Sequence, residues 1–249
     1  MNGNLNQEKA VFLVVGCDTG VGKTVFSGLL GSYLSNTGLR FQLVKPFCSG
    51  GTKDIHFLKA VNAEIGREVN YWYGDEPISP AAWEFSTGNQ IDFENIIKSL
   101  REESKRDDCD ALLVEGVGGL LAPITRNHTV ASLGQELSSK LIIIAQNRVG
   151  VINHVLLTVE AATSRGLSVA SVILMSQKEP DASVVHNAEL IRMNMLNIYD
   201  FKGVYEFPWL GKEADNPEFI STNVKKAEEI LDMIFNEVIS PYLLNDSST

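Results

Sequence analysis

The chain has 249 residues, of which 44% are apolar, and it carries a formal net charge of −10 at pH 7. This acidity argues against a global electrostatic grip on nucleic acid or on an anionic membrane. The three cysteines lack metal-ligand spacing, and their odd number is typical of a reducing compartment. The first ten residues lack the apolar run of a signal peptide, and no apolar stretch is long enough to span a bilayer. We therefore expect a cytoplasmic protein with no nucleic-acid or membrane partner.

Short apolar segments alternate with amphipathic ones along the chain. In order, strands are predicted at 11–16, 41–46, 111–116, 140–146, 167–175 and 199–207. Helices are predicted from stripes of apolar residues at 91–104, 151–163 and 222–239. The middle strands are apolar at nearly every position, as in strands that are covered on both faces of a parallel sheet. The pattern favours one doubly wound α/β domain over 1–249, with a mainly parallel sheet flanked by helices and flexible tails at 1–10 and 243–249.

The first predicted strand leads into a glycine-rich loop, GCDTGVGKT, at 16–24. The common phosphate-binding loop has a glycine where Cys17 stands, and here the glycine lies one residue earlier. Gly20 and Gly22 still allow backbone amides to face an anion, and a helix that begins near Lys23 offers its positive N-terminus.

Lysine and threonine at the end of this loop suit a nucleotide. Lys23 can reach the β- and γ-phosphates, and the Thr24 hydroxyl can ligate Mg²⁺. The loop therefore indicates a fold of the P-loop NTPase type. The alternative interpretation is a glycine-rich turn followed by an ordinary surface lysine.

A second lysine closes the second predicted strand, in LVKPFCSGG at 43–51. A buried lysine costs free energy unless it meets a negative partner. If this strand lies beside the first, Lys45 points at the same anion as Lys23, and two lysines at one pocket suit phosphoryl transfer or carbamate formation. Lys45 could instead extend to solvent at the strand end. Cys48 could be a nucleophile, but no histidine partner is evident, and we favour a small core residue.

Two more strands are followed by residues that suit anions or metals. In LLVEGVGGLLAPI at 112–124, Glu115 ends a strand, where a carboxylate can hold Mg²⁺ directly or through water. The glycines that follow permit close approach of the backbone to phosphate. In NRVGVINH at 147–154, Gly150 precedes a helix whose first amides suit a carboxylate. Taken alone, Asn153 is more typical of a capping or surface residue.

Together and in order, these motifs resemble the dethiobiotin synthetase family over residues 11 to 210. That family carries G-x-D-T-x-V-G-K-T, so the displaced glycine supports the resemblance. It also carries K-P-x-x-S-G, E-G-x-G-G with a nearby proline, and I-N-H at a helix start. The matching segments are 16–24, 45–50, 115–119 with Pro123, and 152–154, with further likeness in PISPAA at 77–82 and FPWL at 207–210.

The resemblance implies ATP- and Mg²⁺-dependent carboxylation of 7,8-diaminononanoate with CO₂ or bicarbonate, and ring closure to dethiobiotin through a carbamate and a carbamic-phosphoric anhydride. By analogy, Lys45 stabilises the carbamate, Lys23 the transferring phosphoryl group, and Thr19 and Ser49 hold the diamine. Mg²⁺ would be held by Thr24, Asp54 and Glu115. The nucleotide site would comprise Gly20, Val21, Gly22, Lys23, Thr24, Val25, Glu115, Gly118 and Pro208. The family is a homodimer, and the amides from Gly150 to Asn153 would bind the substrate carboxylate across the interface.

Two positions depart from the family pattern. Only four residues separate Ser49 from Asp54, fewer than in many members, so Asp54 could instead be a helix-capping aspartate. Where many members have an adenine-reading asparagine, this chain has Met175, which cannot hydrogen-bond a base edge. Gln177 or backbone near Pro208 could replace it, or base selectivity is relaxed towards GTP and CTP.

A regulatory ATPase of the partition or septum-site type is the alternative from another functional class. Such proteins favour a second lysine near the first glycine of the phosphate loop, whereas residues 17–21 contain none. The ordered set of motifs therefore favours the ligase.

Overall fold

Alternate residues of the central strands face two separate apolar cores, one on each side of a parallel sheet. The computed structural model describes residues 9–61 and 69–244. Its strands are β1 (Ala10–Gly16), β2 (Phe41–Val44), β3 (Phe47–Ser49), β4 (Trp72–Gly74), β5 (Ala111–Gly119), β6 (Lys140–Gln146), β7 (Ser168–Met175) and β8 (Gly203–Phe207). The main sheet has the order β2-β5-β1-β6-β7-β8, and each neighbouring pair is parallel. Strands β3 and β4 form a separate parallel pair.

Helices cover both faces of this sheet. They are α1 (Lys23–Asn36), α2 (Lys53–Val61), α3 (Pro80–Thr87), α4 (Phe93–Ser104), α5 (Val130–Glu136), α6 (Val151–Thr163), α7 (Val184–Asn194), α8 (Ile220–Lys226), α9 (Glu228–Ile234) and α10 (Ser240–Leu244). A 3-10 turn occupies Pro217–Phe219 and a π-helical turn Phe235–Ile239. The predicted doubly wound α/β fold with a mainly parallel sheet is confirmed.

The two cores follow from the two-residue period of a strand. In β1, Leu13 and Val15 join the core on the side of α4 to α7. Phe12 and Val14 join the core on the side of α1, α2 and the C-terminal helices. Because all four side chains are fully buried, this strand has to be apolar at successive positions.

Two predicted strands are shorter in the structure. The strand predicted at 41–46 ends at Val44, because the Lys45 amide leaves the sheet and donates to the Val69 carbonyl oxygen at 2.7 Å. The strand predicted at 199–207 begins only at Gly203, since Asp200 has a left-handed backbone with φ of 66°. Such a conformation cannot continue a strand.

The helix predicted at 222–239 is interrupted at Ala227. Its amide is shared between the carbonyl oxygens of Asn223, at 3.0 Å, and Val224, at 3.1 Å, which ends α8 before α9 begins. The helix predicted at 151–163 has those limits in the structure, as α6.

The ends of the chain are described in part. Of the tails predicted at 1–10 and 243–249, residues 1–8 and 245–249 lie outside the described residues. Ala10 already belongs to β1, and Leu243 belongs to α10. Within 9–61 and 69–244, none of the helices has the length and apolar character needed to cross a bilayer.

The carboxyl edge of the sheet gathers the sequence motifs, but not through the expected strand order. Strand β5 lies between β2 and β1, which corrects the premise that the second strand lies beside the first. All three strands run parallel and end at the same edge. Lys45, which follows β2, therefore meets Glu115 of β5 before it can approach the loop after β1.

Candidate active site

The loop after β1 closes around the first turn of α1. Gly20 and Gly22 have φ of 71° and 103°, a region that glycine adopts without strain, and Gly22 is the N-cap of α1. Lys23 is the first helical residue and its side chain is buried, with Nζ 3.4 Å from the carbonyl oxygen of Asp18. Burial lowers the pKa of Lys23, and nearby Lys45 lowers it further, while Glu115 opposes both. The helix N-terminus and this lysine together make an anion site.

The second lysine is held between two carboxylates. Lys45 Nζ lies 2.6 Å from Asp54 Oδ2 and 2.6 Å from Glu115 Oε1. Burial disfavours the charged lysine, but Glu115 and Asp54 outweigh it, so the pKa of Lys45 is raised. Burial likewise disfavours the charged form of Asp54, yet Lys45 outweighs it and the pKa of Asp54 is lowered. Lys45 and Asp54 therefore stabilise each other in their charged forms.

Three oxygen-bearing side chains in this cluster fit Mg²⁺. Glu115 is fully buried, and its Oε2 has no hydrogen-bond partner among the described residues, although an unsatisfied buried carboxylate oxygen is costly. Its Oε1 accepts a hydrogen bond from the Thr24 hydroxyl at 2.7 Å. Asp54 is on the other side of Lys45 Nζ from Glu115. In the described part of the chain, no group of three His, Cys, Asp or Glu side chains could hold a metal alone. The site thus suits a hard cation that keeps several waters.

Most of the predicted site residues line one cavity of about 460 Å³. They are Thr19, Gly20, Gly22, Lys23, Thr24, Val25, Lys45, Ser49, Asp54, Glu115 and Gly118. Val21 and Pro208, predicted for the nucleotide, line a second cavity of about 210 Å³ together with Met175 and Gln177. Gly20, Gly22, Val25 and Asp215 line both cavities. The phosphate loop therefore joins two compartments of one elongated site.

Two predicted residues lie away from these cavities. Gly150 caps α6 with φ of 88°, and Asn153 is exposed in its first turn. Neither is among the residues that line the two compartments. Their proposed role across a dimer interface remains a prediction.

Sequence reasoning missed Asp215 and left Ile78 without a role. Asp215 lines both compartments, and its Oδ1 is buried without a partner in the described residues, while Lys53 Nζ lies 2.7 Å from Oδ2. It follows an irregular loop after β8 and belongs to no pattern that carries a recognisable chemistry. Ile78 lines the larger cavity with Val117 and Ala122, and PISPAA was the available signal.

Cys48 does not have the environment of a nucleophile. Its side chain is buried, and burial raises the pKa of the thiol to about 11, although Lys45 opposes this. Its Sγ lies 3.5 Å from the Gly51 carbonyl oxygen. The interpretation as a small core residue is therefore preferred.

Comparisons with solved structures agree with the fold. A ParA protein of pNOB8 bound to nonspecific DNA has a TM-score of 0.58 at 12% identity, covering 96% of this chain and 100% of that one. A nucleotide-binding protein from Archaeoglobus fulgidus in complex with ADP has a TM-score of 0.51 at 13% identity, covering 91% of both chains. At such identities the likeness concerns the fold alone.

Sequence comparisons are more specific. A family model described as an AAA domain matches residues 10–212. ATP-dependent dethiobiotin synthetase BioD of Methanococcus vannielii is 32% identical over 169 residues, covering 66% of this chain and 78% of that protein. The enzyme of the same name from Bacillus thuringiensis is 31% identical over 200 residues (78% and 79%), and that from Chlorobaculum tepidum 31% over 201 residues (77% and 83%). The chain therefore belongs to the dethiobiotin synthetase family.

Proposed function

We propose that this chain converts 7,8-diaminononanoate, CO₂ and ATP into dethiobiotin, ADP and phosphate. It is a ligase of biotin biosynthesis, as its family membership establishes, and ATP is its co-substrate. The observation that carries the finer proposal is the pair of lysines in one cavity. Lys23 belongs to the phosphate loop, whereas Lys45 lies on the side of Ser49, so one site can hold a phosphoryl group next to a carbamate.

The first step forms the carbamate. A lone pair on one amine of the diamine attacks CO₂, a nitrogen–carbon bond forms while one carbon–oxygen π bond opens onto oxygen, and the nitrogen loses a proton to solvent. Lys45 stabilises the resulting anion, while the hydroxyl groups of Thr19 and Ser49 orient the diamine. The cavity walls at Ile78 and Val117 are apolar and suit the hydrocarbon chain.

The next two steps use the nucleotide. A carbamate oxygen attacks the γ-phosphorus, and the bond from that phosphorus to the bridging oxygen of ADP breaks. The second amine then attacks the carbonyl carbon, a nitrogen–carbon bond forms, and phosphate leaves as the amine loses a proton. Lys23 neutralises charge on the transferring group. Thr24, Asp54 and Glu115 would hold Mg²⁺, which would supply further charge neutralisation at the phosphates.

The smaller compartment is proposed for the nucleoside. Val21 and Pro208 line it, and Trp209, whose side chain is half-exposed, offers an aromatic face for a base. Asp215 Oδ1, which has no hydrogen-bond partner within the described part of the chain, can accept a ribose hydroxyl. Met175 gives the base an apolar neighbour, and Gln177 is the amide available for its polar edge.

The substrate carboxylate is assigned to a second copy of the chain. Asn153 is exposed in the first turn of α6, and the amides at this helix N-terminus suit an anion, although the Val151 amide already donates to the Arg148 carbonyl oxygen. Since these residues do not line the cavity of their own chain, they would have to serve a partner's cavity in a homodimer.

The test is phosphate release by the purified protein with Mg²⁺, ATP and bicarbonate, with and without diaminononanoate, together with mass spectrometry of the product. Diamine-dependent release with a product of dethiobiotin mass is expected. Phosphate release at the same rate with and without the diamine, and no cyclic urea product, would reject the ligase reaction and favour a regulatory ATPase.

A further inference from the structure

The ammonium group of Lys45 stands between the two carboxylates that are proposed to hold Mg²⁺. Its Nζ lies 2.6 Å from both Asp54 Oδ2 and Glu115 Oε1, and the side chain is only 6% exposed. Thr24, the third proposed metal ligand, donates to the same Glu115 Oε1 at 2.7 Å. A single lysine is thus in contact with both acids, and one of its acceptor atoms is shared with Thr24.

We propose that Lys45 and the divalent cation compete for Asp54 and Glu115, so that metal binding releases Lys45 towards the substrate. This inference rests on the proposed function, because the released charge is the one assigned to the carbamate. A cation that enters this cluster cannot take Glu115 Oε1 and Asp54 Oδ2 while Lys45 still contacts them at 2.6 Å. The ammonium group of Lys45 and a divalent cation that share the same carboxylate oxygens would also repel each other strongly in this buried site.

One oxygen of Glu115 is available to the metal because Lys45 does not contact it. Glu115 Oε2 is buried, has no hydrogen-bond partner among the described residues, and belongs to a side chain that lines the cavity. A cation can first bind this oxygen and the Thr24 hydroxyl, and Lys45 then loses the attraction that holds it. A buried lysine without its partners is unstable in place, so the ammonium moves to another anion or to water.

The substrate side of the same cavity can receive the released group. Ser49 and Thr19 line the cavity together with Lys45. While Lys45 is paired with two carboxylates, its positive charge is already neutralised and attracts a carbamate weakly. A metal that binds those carboxylates leaves the charge of Lys45 free to attract the carbamate. Loading of the metal nucleotide and preparation of the carbamate site would therefore be linked.

The first test measures the affinity of the nucleotide-free protein for Mn²⁺ by electron paramagnetic resonance. Lys45→Gln removes the competing charge, and the Kd for Mn²⁺ is expected to fall about tenfold or more. Lys23→Gln is the matched control, because Lys23 lies in the same cavity but is not paired with either acid within hydrogen-bonding distance in the described contacts. Because Lys23 acts on these acids only at longer range, Lys23→Gln should lower the Kd by a smaller factor than Lys45→Gln does. An unchanged Kd in Lys45→Gln, or an equal change in both variants, would overturn the proposal.

A second test uses the wild-type protein, in case Lys45→Gln does not fold. Trace acetylation with acetic anhydride, followed by peptide mass spectrometry, reports how accessible and free each lysine is. Added Mn²⁺ should raise labelling of Lys45 at least about threefold. Lys98, whose side chain is 73% exposed on α4, should label equally with and without the metal. Labelling of Lys45 that stays constant or falls would contradict release.

Both tests omit diamine, bicarbonate and nucleotide, so they are separate from the ligase assay. A protein that makes dethiobiotin but shows neither effect rejects the competition alone. A protein that shows both effects but makes no dethiobiotin rejects the proposed function and keeps the competition.

Discussion

Lys23 passes directly over the backbone of Gly16, where a Cβ atom would lie 3.0 Å from its Nζ. The same Cβ would overlap the Asp18 carbonyl oxygen and approach the Gly118 carbonyl oxygen to 3.0 Å. A glycine at position 16 therefore lets the phosphate-loop lysine lie flat against the end of β1. The glycine one residue before Cys17 is thus required mainly by the loop backbone at the Asp18 carbonyl oxygen, and secondarily by Lys23 Nζ.

Gly16→Ala is expected to weaken ATP binding at least about tenfold, because Lys23 and the loop must shift to make room for the methyl group. Cys17→Ala is the matched control, since it changes the next residue while keeping its Cβ. Isothermal titration with a non-hydrolysable ATP analogue measures both. Equal affinities in the two variants would contradict the steric role of Gly16.

Asp54→Asn tests whether Asp54 is the second metal acid or only a residue in the first turn of α2. As a metal ligand, its loss should raise the Mg²⁺ concentration for half-maximal activity about tenfold or more. Some thermal stability should be lost as well, because the buried Lys45 then keeps only Glu115 as a charged partner. Asp107→Asn, in an exposed turn, is the control. A normal Mg²⁺ dependence with a lowered melting temperature would indicate a purely structural role.

The limits of several strands and helices could be predicted from the sequence because they depend on local residue patterns. Strands such as 140–146 and the helix at 151–163 have the predicted limits, since their apolar periods and glycine boundaries are local features. The phosphate loop was located for the same reason, whereas β5 continues to Gly119, beyond the strand end predicted at Glu115. The order of the strands could not be predicted from this periodicity. Nothing in the residues of β2 indicates that it pairs with β5, some 70 positions later, in the register that places Phe41 beside Ala111.

The remaining site features depend on that order. Lys45 meets Glu115 only because β5 lies next to β2, so their ion pair could not be read from either motif alone. Asp215 enters the site from an irregular loop that has no periodicity. Asp200 delays the start of the expected strand through a left-handed backbone, and its carboxylate contacts the neighbouring Lys202 and, from α10, Tyr242.

Base selectivity should be weak in the wild-type protein. Met175 packs against the phosphate loop, with its side chain 3.0 Å from where a Cβ of Gly22 would be, and it has no group for a base edge. We expect kcat/KM values for ATP, GTP and CTP within about tenfold of one another. Met175→Asn should increase the preference for ATP about tenfold, because an amide can pair with adenine.

The same assay tests Gln177, whose Nε2 is buried without a partner in the described residues. Gln177→Leu should remove the residual preference among the three nucleotides. A strong preference for ATP in the wild type that survives in Gln177→Leu would instead assign the base to backbone groups near Pro208.

Close packing of α1 against α2 links stability to the metal site. A Cβ at Gly28 would overlap the ring of Phe57 in α2, whereas one at Gly31 would have ordinary contacts, the nearest at 3.4 Å. Gly28→Ala should therefore destabilise the protein by about 1–2 kcal/mol even after the gain in helix propensity. Gly31→Ala should be neutral or stabilising by up to about 1 kcal/mol. Urea unfolding measures both, and equal stabilities would refute the packing argument.

Because α2 carries Asp54, the displacement of Phe57 should also reach the metal. Gly28→Ala is expected to raise the Mg²⁺ requirement a few-fold, in the direction of Asp54→Asn, while Gly31→Ala leaves it unchanged. A destabilised Gly28→Ala with a normal Mg²⁺ requirement would show that α2 adjusts without moving its first turn.

Acid stability should depend on Asp200, which ties β6, the start of β8 and α10 together. Its carboxylate accepts hydrogen bonds from Lys202 at 2.7 Å, Tyr242 at 2.6 Å and Lys140 at 3.3 Å. Burial alone would raise the pKa of Asp200, but these donors outweigh it and lower the pKa to about 2. A group whose pKa is lower in the folded state stabilises the fold above its unfolded value of 3.8, and this contribution is lost as pH falls towards about 2.

Asp200→Asn should therefore cost about 1–3 kcal/mol at pH 7 and progressively less between pH 4 and pH 2. Asparagine tolerates the left-handed backbone at φ of 66°, so the substitution removes charge without adding strain. Urea unfolding at pH 7, 4 and 2.5 measures the difference from wild type, with Asp107→Asn as the exposed control. A difference that stays constant over this range would mean that the loss comes from packing or hydrogen bonding and not from the charge of Asp200.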